Sequence, residues 1–236
     1  MRVTLQKTTR AMAGILFIIS APSGSGKSTL VNEVRRLVSG LDFSVSYTTR
    51  KPRGSEEDGR EYHFTTRENF ERMIGAGEFL EWAQVFGNYY GTAMAALDMA
   101  RDHGTDLLLD IDVQGALQVM EKLPEAVSIF ILPPSPEVLE RRLRNRSQAE
   151  GVANESIIDT RLAEARTELQ MIDDYRYALV NDALDQAASE MRAIVLTARG
   201  DATPTEGDLA ARCITGARSP RLEAALASFG VAAAGI

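Results

Sequence analysis

Residues 15–31 read ILFIISAPSGSGKSTLV, an apolar run followed by a glycine-rich turn and the start of a helical pattern. The β-branched and aromatic residues from Ile15 to Ile19 predict a buried strand, and the apolar residues that recur from Leu30 to Val38 predict a helix. The backbone N–H groups of such a turn, together with the helix N-terminus, suit anionic phosphates. The stretch therefore predicts a strand–loop–helix unit that binds a nucleoside triphosphate.

The glycine-rich turn departs once from the phosphate-loop pattern G-x-x-x-x-G-K-[ST], because Ala21 stands at the first glycine. Lys27 supplies a mobile positive charge, and the Ser28 hydroxyl stands where a Mg²⁺ that bridges two phosphates takes a protein ligand. The alternative is a glycine turn with a solvated lysine, which the strand and helix context disfavours. The predicted phosphate-loop residues are Ala21, Pro22, Ser23, Gly24, Ser25, Gly26, Lys27, Ser28 and Thr29.

Three further apolar runs, Asp106–Asp112, Ser128–Leu132 and Tyr177–Val180, read as buried strands. Helical stretches separate them, which predicts an α/β fold with a parallel sheet covered by helices on both faces. Phe43–Thr49 alternates like a half-exposed strand, and the texture from there to Asp106 indicates an inserted subdomain. Two alternatives stay open for the C-terminal extension 201–236: it is disordered, or it is helical, with an amphipathic helix over Leu209–Phe229.

Composition excludes several classes of protein. The chain has 236 residues and a formal net charge of −7, which gives no basic surface for a nucleic-acid polymer. Cys213 is the single cysteine, so no intramolecular disulfide can form, and a reducing cytoplasm is the simplest location. No apolar stretch approaches the ~20 residues of a membrane helix, so we expect no membrane partner. His63 and His103 lack metal-ligand spacing.

The N-terminus imitates a signal peptide, because basic residues precede the apolar run Ala11–Ile19. We reject that interpretation, since cleavage there would destroy the glycine-rich turn. Residues 1–12 are expected to be an extension, and both Met1 and Met12 remain candidate starts.

Two acids follow the second apolar run. Asp110 stands where phosphate-loop proteins place the carboxylate that holds hydrated magnesium, and strand alternation is expected to point Asp112 to the same face. The alternative is that both acids simply end a strand and solvate a turn.

Basic and hydroxyl side chains of the inserted region could clamp a phosphate monoester; the alternative for each arginine is a solvated surface charge. Arg50 and Arg53 are three residues apart, with Ser46 before them and the Tyr62 phenol after them. The positive charges of a second arginine group would repel one another unless an anion such as a triphosphate binds between them. The alternative is a solvated helix face whose arginines are compensated by Glu137, Glu140 and Glu164. The members of this arginine group are Arg141, Arg142, Arg144, Arg146 and Arg161.

Several motifs occur together in one order, and this combination is far more specific than the glycine-rich turn alone. They are Ala21-Pro22-Ser23-Gly24-x-Gly26-Lys27-Ser28, Ser44-Val45-Ser46-x-Thr48-Thr49-Arg50-x-Pro52-Arg53, Gly59-x-x-Tyr62, Gly87-Asn88-Tyr89-Tyr90-Gly91, Asp110-Ile111-Asp112-x-Gln114-Gly115 and Asn181-Asp182. Over about residues 13–198 the chain resembles the guanylate kinase family.

The resemblance implies a phosphate-loop core (13–45, 98–137 and 163–200), a GMP-binding insertion (46–97) and a helical lid (138–162), with extensions at 1–12 and 201–236. It also implies Mg²⁺-dependent transfer of the ATP γ-phosphoryl group to GMP, giving ADP and GDP, in purine nucleotide metabolism. Oligomeric state stays open. The tail after residue 200 has no counterpart to interpret.

The resemblance assigns roles to individual residues. Lys27, Arg142, Arg146 and Arg161 would stabilise the migrating charge, Asn181 would contact ATP, and Ser28 and Asp110 (through water) would serve the metal. Arg50, Arg53, Tyr62 and Tyr90 would hold the GMP phosphate. An ionised Glu81 would accept from guanine N1–H and the 2-amino group, Ser46 and Thr92 would donate to O6, and Asp112 would accept from the base amine.

Two departures and two alternatives accompany this resemblance. Arg53-Gly54-Ser55-Glu56 shifts a glycine by one position, and Arg144-Asn145-Arg146-Ser147 lacks the glycines that the family often places in its lid. The first alternative is a noncatalytic docking module, which the intact phosphate loop disfavours. The second is a phosphate-loop kinase for another small acceptor, or a nucleotide switch, and Glu81 with Ser46 disfavours both.

Overall fold

The computed structural model describes residues 14–149 and 155–231. The expected N-terminal extension and the choice between Met1 and Met12 lie outside the described residues, as do positions 150–154 of the expected lid. No helix in the described part of the chain is long and apolar enough to cross a membrane.

The described chain forms two sheets. The strands are β1 (Leu16–Ser20), β2 (Leu41–Phe43), β3 (Tyr47–Thr48), β4 (His63–Phe64), β5 (Phe79–Val85), β6 (Asn88–Ala93), β7 (Asp106–Asp110), β8 (Val127–Leu132) and β9 (Tyr177–Val180). The larger sheet is parallel and has the order β2-β7-β1-β8-β9. The predicted α/β fold with a parallel sheet is therefore confirmed.

Helices follow most of the parallel strands and cover both faces of the sheet. The helices are α1 (Lys27–Leu37), α2 (Arg67–Gly75), α3 (Met94–His103), α4 (Val113–Lys122), α5 (Pro136–Ala149), α6 (Glu155–Leu169), α7 (Leu184–Arg199), α8 (Pro204–Arg212) and α9 (Pro220–Ser228).

Alternation along β1 divides the core into two layers. Phe17 and Ile19 face one side and pack in the layer of α1 and α7, whereas Ile18 faces the other side and packs in the layer of α4. All three side chains are fully buried. Buried strands of this kind place their carboxyl ends at one edge of the sheet, where α/β proteins bind their ligands.

The smaller sheet has the order β4-β3-β6-β5. It packs on α2, because Phe70 and Met73 of that helix form one buried cluster with Phe79 of β5. Its core is aromatic: the Phe70 ring stacks on Phe79 at a centroid distance of 4.4 Å and on Tyr89 at 5.2 Å. The predicted single strand Phe43–Thr49 is wrong, because the chain leaves the edge of the larger sheet after Phe43 and enters the smaller sheet at Tyr47.

The predicted single helix Leu209–Phe229 is also wrong. The structure has two helices, α8 and α9, because Ser219 caps α9 and Pro220, which lacks an N–H, starts a new helix there. Thr203 and Glu206 form a capping box at the start of α8. Leu222 and Leu226 of α9 are buried in the core.

Candidate nucleotide site

The glycine-rich turn joins β1 to α1 at the carboxyl edge of the parallel sheet. Gly24 and Gly26 have φ angles of 89° and 85°, a conformation that glycine adopts without strain. Among the described residues no side chain caps α1, whose N-terminus directly follows Gly26. The turn therefore presents backbone N–H groups and a positive helix end to an anion.

Gly24 and Gly26 are also required because neighbouring side chains pack closely against the turn on both of its sides. A Cβ at Gly24 would lie 2.9 Å from Leu143 Cδ2 of α5, and a Cβ at Gly26 would lie 2.6 Å from Asn181 Nδ2. The turn is thus held between α5 and the residue that follows β9. Ala21, at the position of the missing first glycine, is half-buried.

Lys27 is tied to the end of β7. Its ammonium group forms an ion pair with Asp110 and donates to the carbonyl of Ile111 at 3.0 Å. The side chain that sequence analysis treats as a mobile charge is therefore already partnered. Asp110 ends its strand as expected.

Asp112 does not continue the strand, contrary to the prediction from the sequence. The strand ends at Asp110, so alternation does not reach Asp112, which is instead the N-cap of α4. One carboxylate oxygen of Asp112 accepts from Gln114 N at 2.8 Å and from Gly115 N at 3.1 Å. An aspartate just before a helix favours this role because it satisfies N–H groups that have no helical partner.

Asn181 and Arg142 converge on the glycine-rich turn. Asn181 Nδ2 donates to the Ser25 carbonyl at 2.8 Å, and Arg142 donates to the same carbonyl at 3.1 Å. The second Arg142 nitrogen donates to the Asn181 carbonyl at 3.0 Å. Burial lowers the pKa of Arg142 from its ordinary value, with Asp182 opposing this effect. These bonds tie α5 and the β9 end to the turn.

The other arginines of the expected lid differ in their surroundings. Arg144 pairs with Glu140 and Glu155, as the compensated-face alternative expects of this residue. Arg146 is exposed on α5, and Arg161 is half-buried on α6.

Three side chains proposed to read a base form a row across the smaller sheet. Glu81 on β5 is directly opposite Thr92 on β6. Ser46, one residue before β3, continues the register in which Tyr47 is opposite Gly91, which places it opposite Thr92. All three are buried, and cross-strand neighbours share a face. The structure therefore brings together residues that are 46 positions apart in the chain.

The Glu81 side chain is only 2% exposed and packs on the first turn of α4, at Gly115. Burial raises the pKa of Glu81 to about 7, and the Asp112 carboxylate adds to this rise. The Thr92 hydroxyl is buried without a hydrogen-bond partner among the described residues. A buried carboxyl beside a buried hydroxyl supplies both an acceptor and a donor for a polar ligand.

Arg50 meets two aromatic rings and a carboxylate. Its nitrogens donate to both Glu56 oxygens at 2.9 Å, and its Cζ lies 5.2 Å from the Tyr62 ring centroid. The Tyr62 and Tyr90 rings are 5.8 Å apart. Burial lowers the pKa of Arg50 and is the largest single effect, but the hydrogen bonds and negative charges of Glu56 and Tyr90 together outweigh it, so the pKa is raised. The structure thus groups Arg50, Tyr62 and Tyr90.

Arg53, by contrast, is exposed on the following turn, as Ser28 and Thr29 are on α1. Glu56 N donates to the Arg53 carbonyl at 3.0 Å, and Gly54 inside this turn has a φ of 52°. The glycine shift noted in the sequence therefore places glycine where the turn needs a positive φ.

Two acids at this site, Glu56 and Glu168, have no role that was predicted from the sequence. Glu56 could have been found as a carboxylate six residues after Arg50 in the same loop. Glu168 on α6 gives no such signal: one of its carboxylate oxygens is buried without a hydrogen-bond partner in the described chain. Burial raises the pKa of Glu168 to about 7, and Lys27 opposes the rise.

The site has oxygen donors suited to magnesium. The Ser28 hydroxyl is exposed at the start of α1, and the Asp110 carboxylate ends the adjacent strand β7. Mg²⁺ prefers such oxygens and usually takes only one or two from the protein, with the rest from phosphates and water. The donor set therefore fits the ion that the family resemblance implies.

Comparisons with known proteins agree with this geometry. The family model described as guanylate kinase matches residues 14–198. A guanylate kinase from Koribacter versatilis is 57% identical over 188 residues, which cover 80% of each chain. One from Alkalilimnicola ehrlichii is 48% identical over 183 residues, covering 78% of this chain and 88% of that one.

A solved structure of the same family is similar to this chain in its fold. The crystal structure of guanylate kinase from Anaplasma phagocytophilum superposes with a TM-score of 0.65 at 34% sequence identity. The match covers 82% of this chain and 89% of that chain. Since the family model spans most of the chain and the relatives are close in sequence, this chain belongs to the guanylate kinase family.

Proposed function

We propose that the glycine-rich turn binds ATP, that the smaller sheet binds GMP, and that the γ-phosphoryl group passes between them to give ADP and GDP. Family membership supports this ATP:GMP phosphotransferase activity. The observation that carries the two-site arrangement is the end of β7. There Asp110 pairs with Lys27 of the turn, and Asp112 caps the helix on which Glu81 packs.

The ATP side uses the residues around the glycine-rich turn. The stretch Ala21–Thr29 would surround the phosphates, with donation from the backbone N–H groups of all its residues except Pro22, which has none. Lys27 would exchange Asp110 for a phosphate oxygen. Asn181 would hold the turn from outside. When bound, Mg²⁺ neutralises and orients the phosphates. Ser28 and, through water, Asp110 would hold it.

The GMP side divides into a base pocket and a phosphate pocket. An ionised Glu81 would accept from guanine N1–H and the 2-amino group, while Ser46 and Thr92 would donate to O6 and Asp112 would lie at the edge of the base. Adenine presents an acceptor at N1 and is disfavoured. Arg50, Tyr62 and Tyr90 would hold the phosphate, and Arg53 would swing in from its exposed turn.

Transfer needs alignment and charge neutralisation more than covalent help. The GMP phosphate is already an anionic nucleophile, so no general base is required. Arg142, docked beside Ser25, and Arg146 and Arg161 of the lid region would stabilise the charge on the migrating group. Closing the lid region (138–162) would exclude water, so ATP hydrolysis without GMP is expected to be far slower than transfer.

The pKa of Tyr62 gives a second support for placing the ATP site and the GMP site next to each other. Burial raises the pKa of the Tyr62 phenol, and the Asp110 carboxylate raises it further. Tyr62, assigned to the GMP phosphate, is therefore close enough to feel the charge of Asp110, assigned to the metal.

We also propose a cytoplasmic location, in keeping with the single cysteine, Cys213.

The test is a coupled assay for ADP formation with Mg-ATP and GMP, AMP, IMP, UMP or no acceptor. We expect turnover that depends on GMP and is lost in a Lys27→Ala variant. A folded protein that binds GMP but forms no ADP with any acceptor would instead support the docking-module alternative.

A further inference from the structure

The segment after Gly200 covers the open edge of the parallel sheet. β9 is the last strand of that sheet, and the outer edge of such a strand carries unpaired backbone groups. Ala178 N donates to the Cys213 carbonyl at 2.8 Å, and Thr215 N donates to the Arg176 carbonyl at 3.0 Å. These bonds fix the segment between α8 and α9 along β9.

Arg221 of α9 makes the next contact along the same edge. One guanidinium nitrogen donates to the Val180 carbonyl at 2.5 Å, and another donates to Glu190 on α7 at 2.8 Å. Glu190 is 8% exposed, and Leu222, next to Arg221, is buried in the core. The guanidinium is therefore held from both sides.

The Val180 carbonyl belongs to the peptide bond that joins Val180 to Asn181, and the Asn181 side chain contacts the glycine-rich turn. Asn181 N donates to the Leu132 carbonyl of β8 at 2.8 Å, which fixes the backbone on the inner side. The Asn181 side chain then donates to Ser25 at 2.8 Å. A connected path runs from Arg221 through Val180 and Asn181 to the turn.

We propose that Arg221 is a positioning residue for the ATP site: it fixes the Val180–Asn181 peptide so that Asn181 holds the glycine-rich turn in its phosphate-binding shape. The C-terminal segment would then contribute to nucleotide binding although it lies beyond the matched residues 14–198. This inference rests on the proposed ATP site.

The experiment compares Arg221→Met with Arg218→Met in the full chain. Arg218 is a matched control, because it lies on the same segment and pairs with Asp173, away from Asn181. Readouts are the Kd of ADP by calorimetry, the KM values of ATP and GMP, kcat, and the unfolding midpoint. Loss of one positioning hydrogen bond predicts about fivefold weaker ADP binding and a matching rise in the KM of ATP.

We expect the KM of GMP to stay within about twofold of the unsubstituted protein in both variants, since the GMP side does not touch this segment. An ADP Kd in Arg221→Met equal to that of Arg218→Met would overturn the proposal, and so would a parallel rise in the KM of GMP. Arg221→Lys keeps one donor for Val180 and is expected to bind ADP about two- to threefold more weakly than the unsubstituted protein.

The lysine variant also carries the test if Arg221→Met does not fold. An ADP Kd in Arg221→Lys equal to that of the unsubstituted protein would then overturn the proposal. Failure of the proposed function looks different, because the unsubstituted protein would itself form no ADP with GMP.

Discussion

The Glu81 carboxylate rests directly on Gly115: a Cβ built on Gly115 would lie 2.3 Å from Oε2 and 3.0 Å from Cδ of Glu81. Gly115 is in the first turn of α4, where the helix dipole favours a negative charge. Asp112 caps the same turn. The shape of the proposed base pocket therefore depends on Gly115, which lies on a helix of the parallel-sheet layer.

A Gly115→Ala substitution should therefore displace Glu81. We expect the KM of GMP to rise about tenfold or more and the free energy of unfolding to fall by about 1 to 3 kcal/mol, as for other overpacked sites. The KM of ATP should stay unchanged. Steady-state kinetics and urea unfolding measure these effects.

Gly207→Ala is the matched control. Gly207 lies inside α8, and a Cβ there would meet no atom of the described residues within 4 Å. Alanine should stabilise that helix by about 0.5 to 1 kcal/mol and leave both KM values unchanged. Equal KM values for GMP in the two variants would contradict a tight Glu81–Gly115 contact in solution.

Glu81→Gln tests how the base is read. Glutamine can accept only one guanine N–H with its oxygen and presents an NH₂ group to the other, so selectivity for GMP over AMP and IMP should fall by about tenfold or more. The KM of ATP is the internal control and should change by less than about twofold. Unchanged selectivity among the three acceptors would remove Glu81 from the base pocket.

The pH dependence of GMP binding should follow the Glu81 carboxyl, whose pKa burial raises to about 7. The ionised form accepts both guanine donors, so GMP affinity should fall as the pH falls through 7, by about fivefold between pH 7 and pH 6. The GMP phosphate also gains a proton near pH 6. Calorimetry on Glu81→Gln measures that second effect alone, and a profile identical to that of the unsubstituted protein would count against the assignment.

Local motifs explain why much of this site could be predicted from the sequence. Gly24, Gly26 and Lys27 fall within one turn, and a strand before it and a helix after it suffice to predict its shape. The sequence also contains the signal for the cap at Asp112, because an aspartate before an apolar helix is a common N-cap. The predicted strand Asp106–Asp112 hides this signal, since β7 ends at Asp110. The sequence contains a signal of the same kind for the helix start at Ser219-Pro220.

Other features depend on contacts between distant segments and leave no local pattern. The sequence around Glu168 is typical of a solvent-exposed helix face. In the structure α6 packs so that the Glu168 carboxyl is buried near Lys27 and Asp112. Arg221 pairs with a backbone carbonyl 41 residues away, which no spacing in the sequence indicates.

Glu168→Gln tests the energetic consequence of that burial. A carboxyl with a folded pKa of about 7 and an unfolded value near 4.5 binds its proton more tightly in the folded protein. Its contribution to stability is therefore fully present below about pH 4.5 and is lost as the pH rises through 7. We expect the free energy of unfolding of the unsubstituted protein to lose about 1 to 3 kcal/mol over this window relative to Glu168→Gln.

Urea unfolding at pH 5, 6, 7 and 8 measures the difference. Glu164→Gln on the same helix face is a useful comparison, because Glu164 is exposed and its pKa is raised less by burial, with Arg161 opposing the rise. Identical pH profiles for the unsubstituted protein and Glu168→Gln would show that Glu168 is solvated in solution.

Glu56→Ala tests whether the paired carboxylate prepares Arg50 for a phosphate. The Arg50 side chain is only 9% exposed and makes two hydrogen bonds to Glu56, which also accepts from Arg53 N at 2.8 Å. Without Glu56, both Arg50 and the Arg53 turn lose their anchor, so the KM of GMP should rise about tenfold while kcat at saturating GMP changes little. Glu61→Ala is the matched control, since Glu61 pairs with the half-exposed Arg60 in the same loop, and surface pairs of this kind contribute little. Steady-state kinetics with both variants decide the point: equal KM values for GMP would mean that Arg50 needs no partner to receive the phosphate.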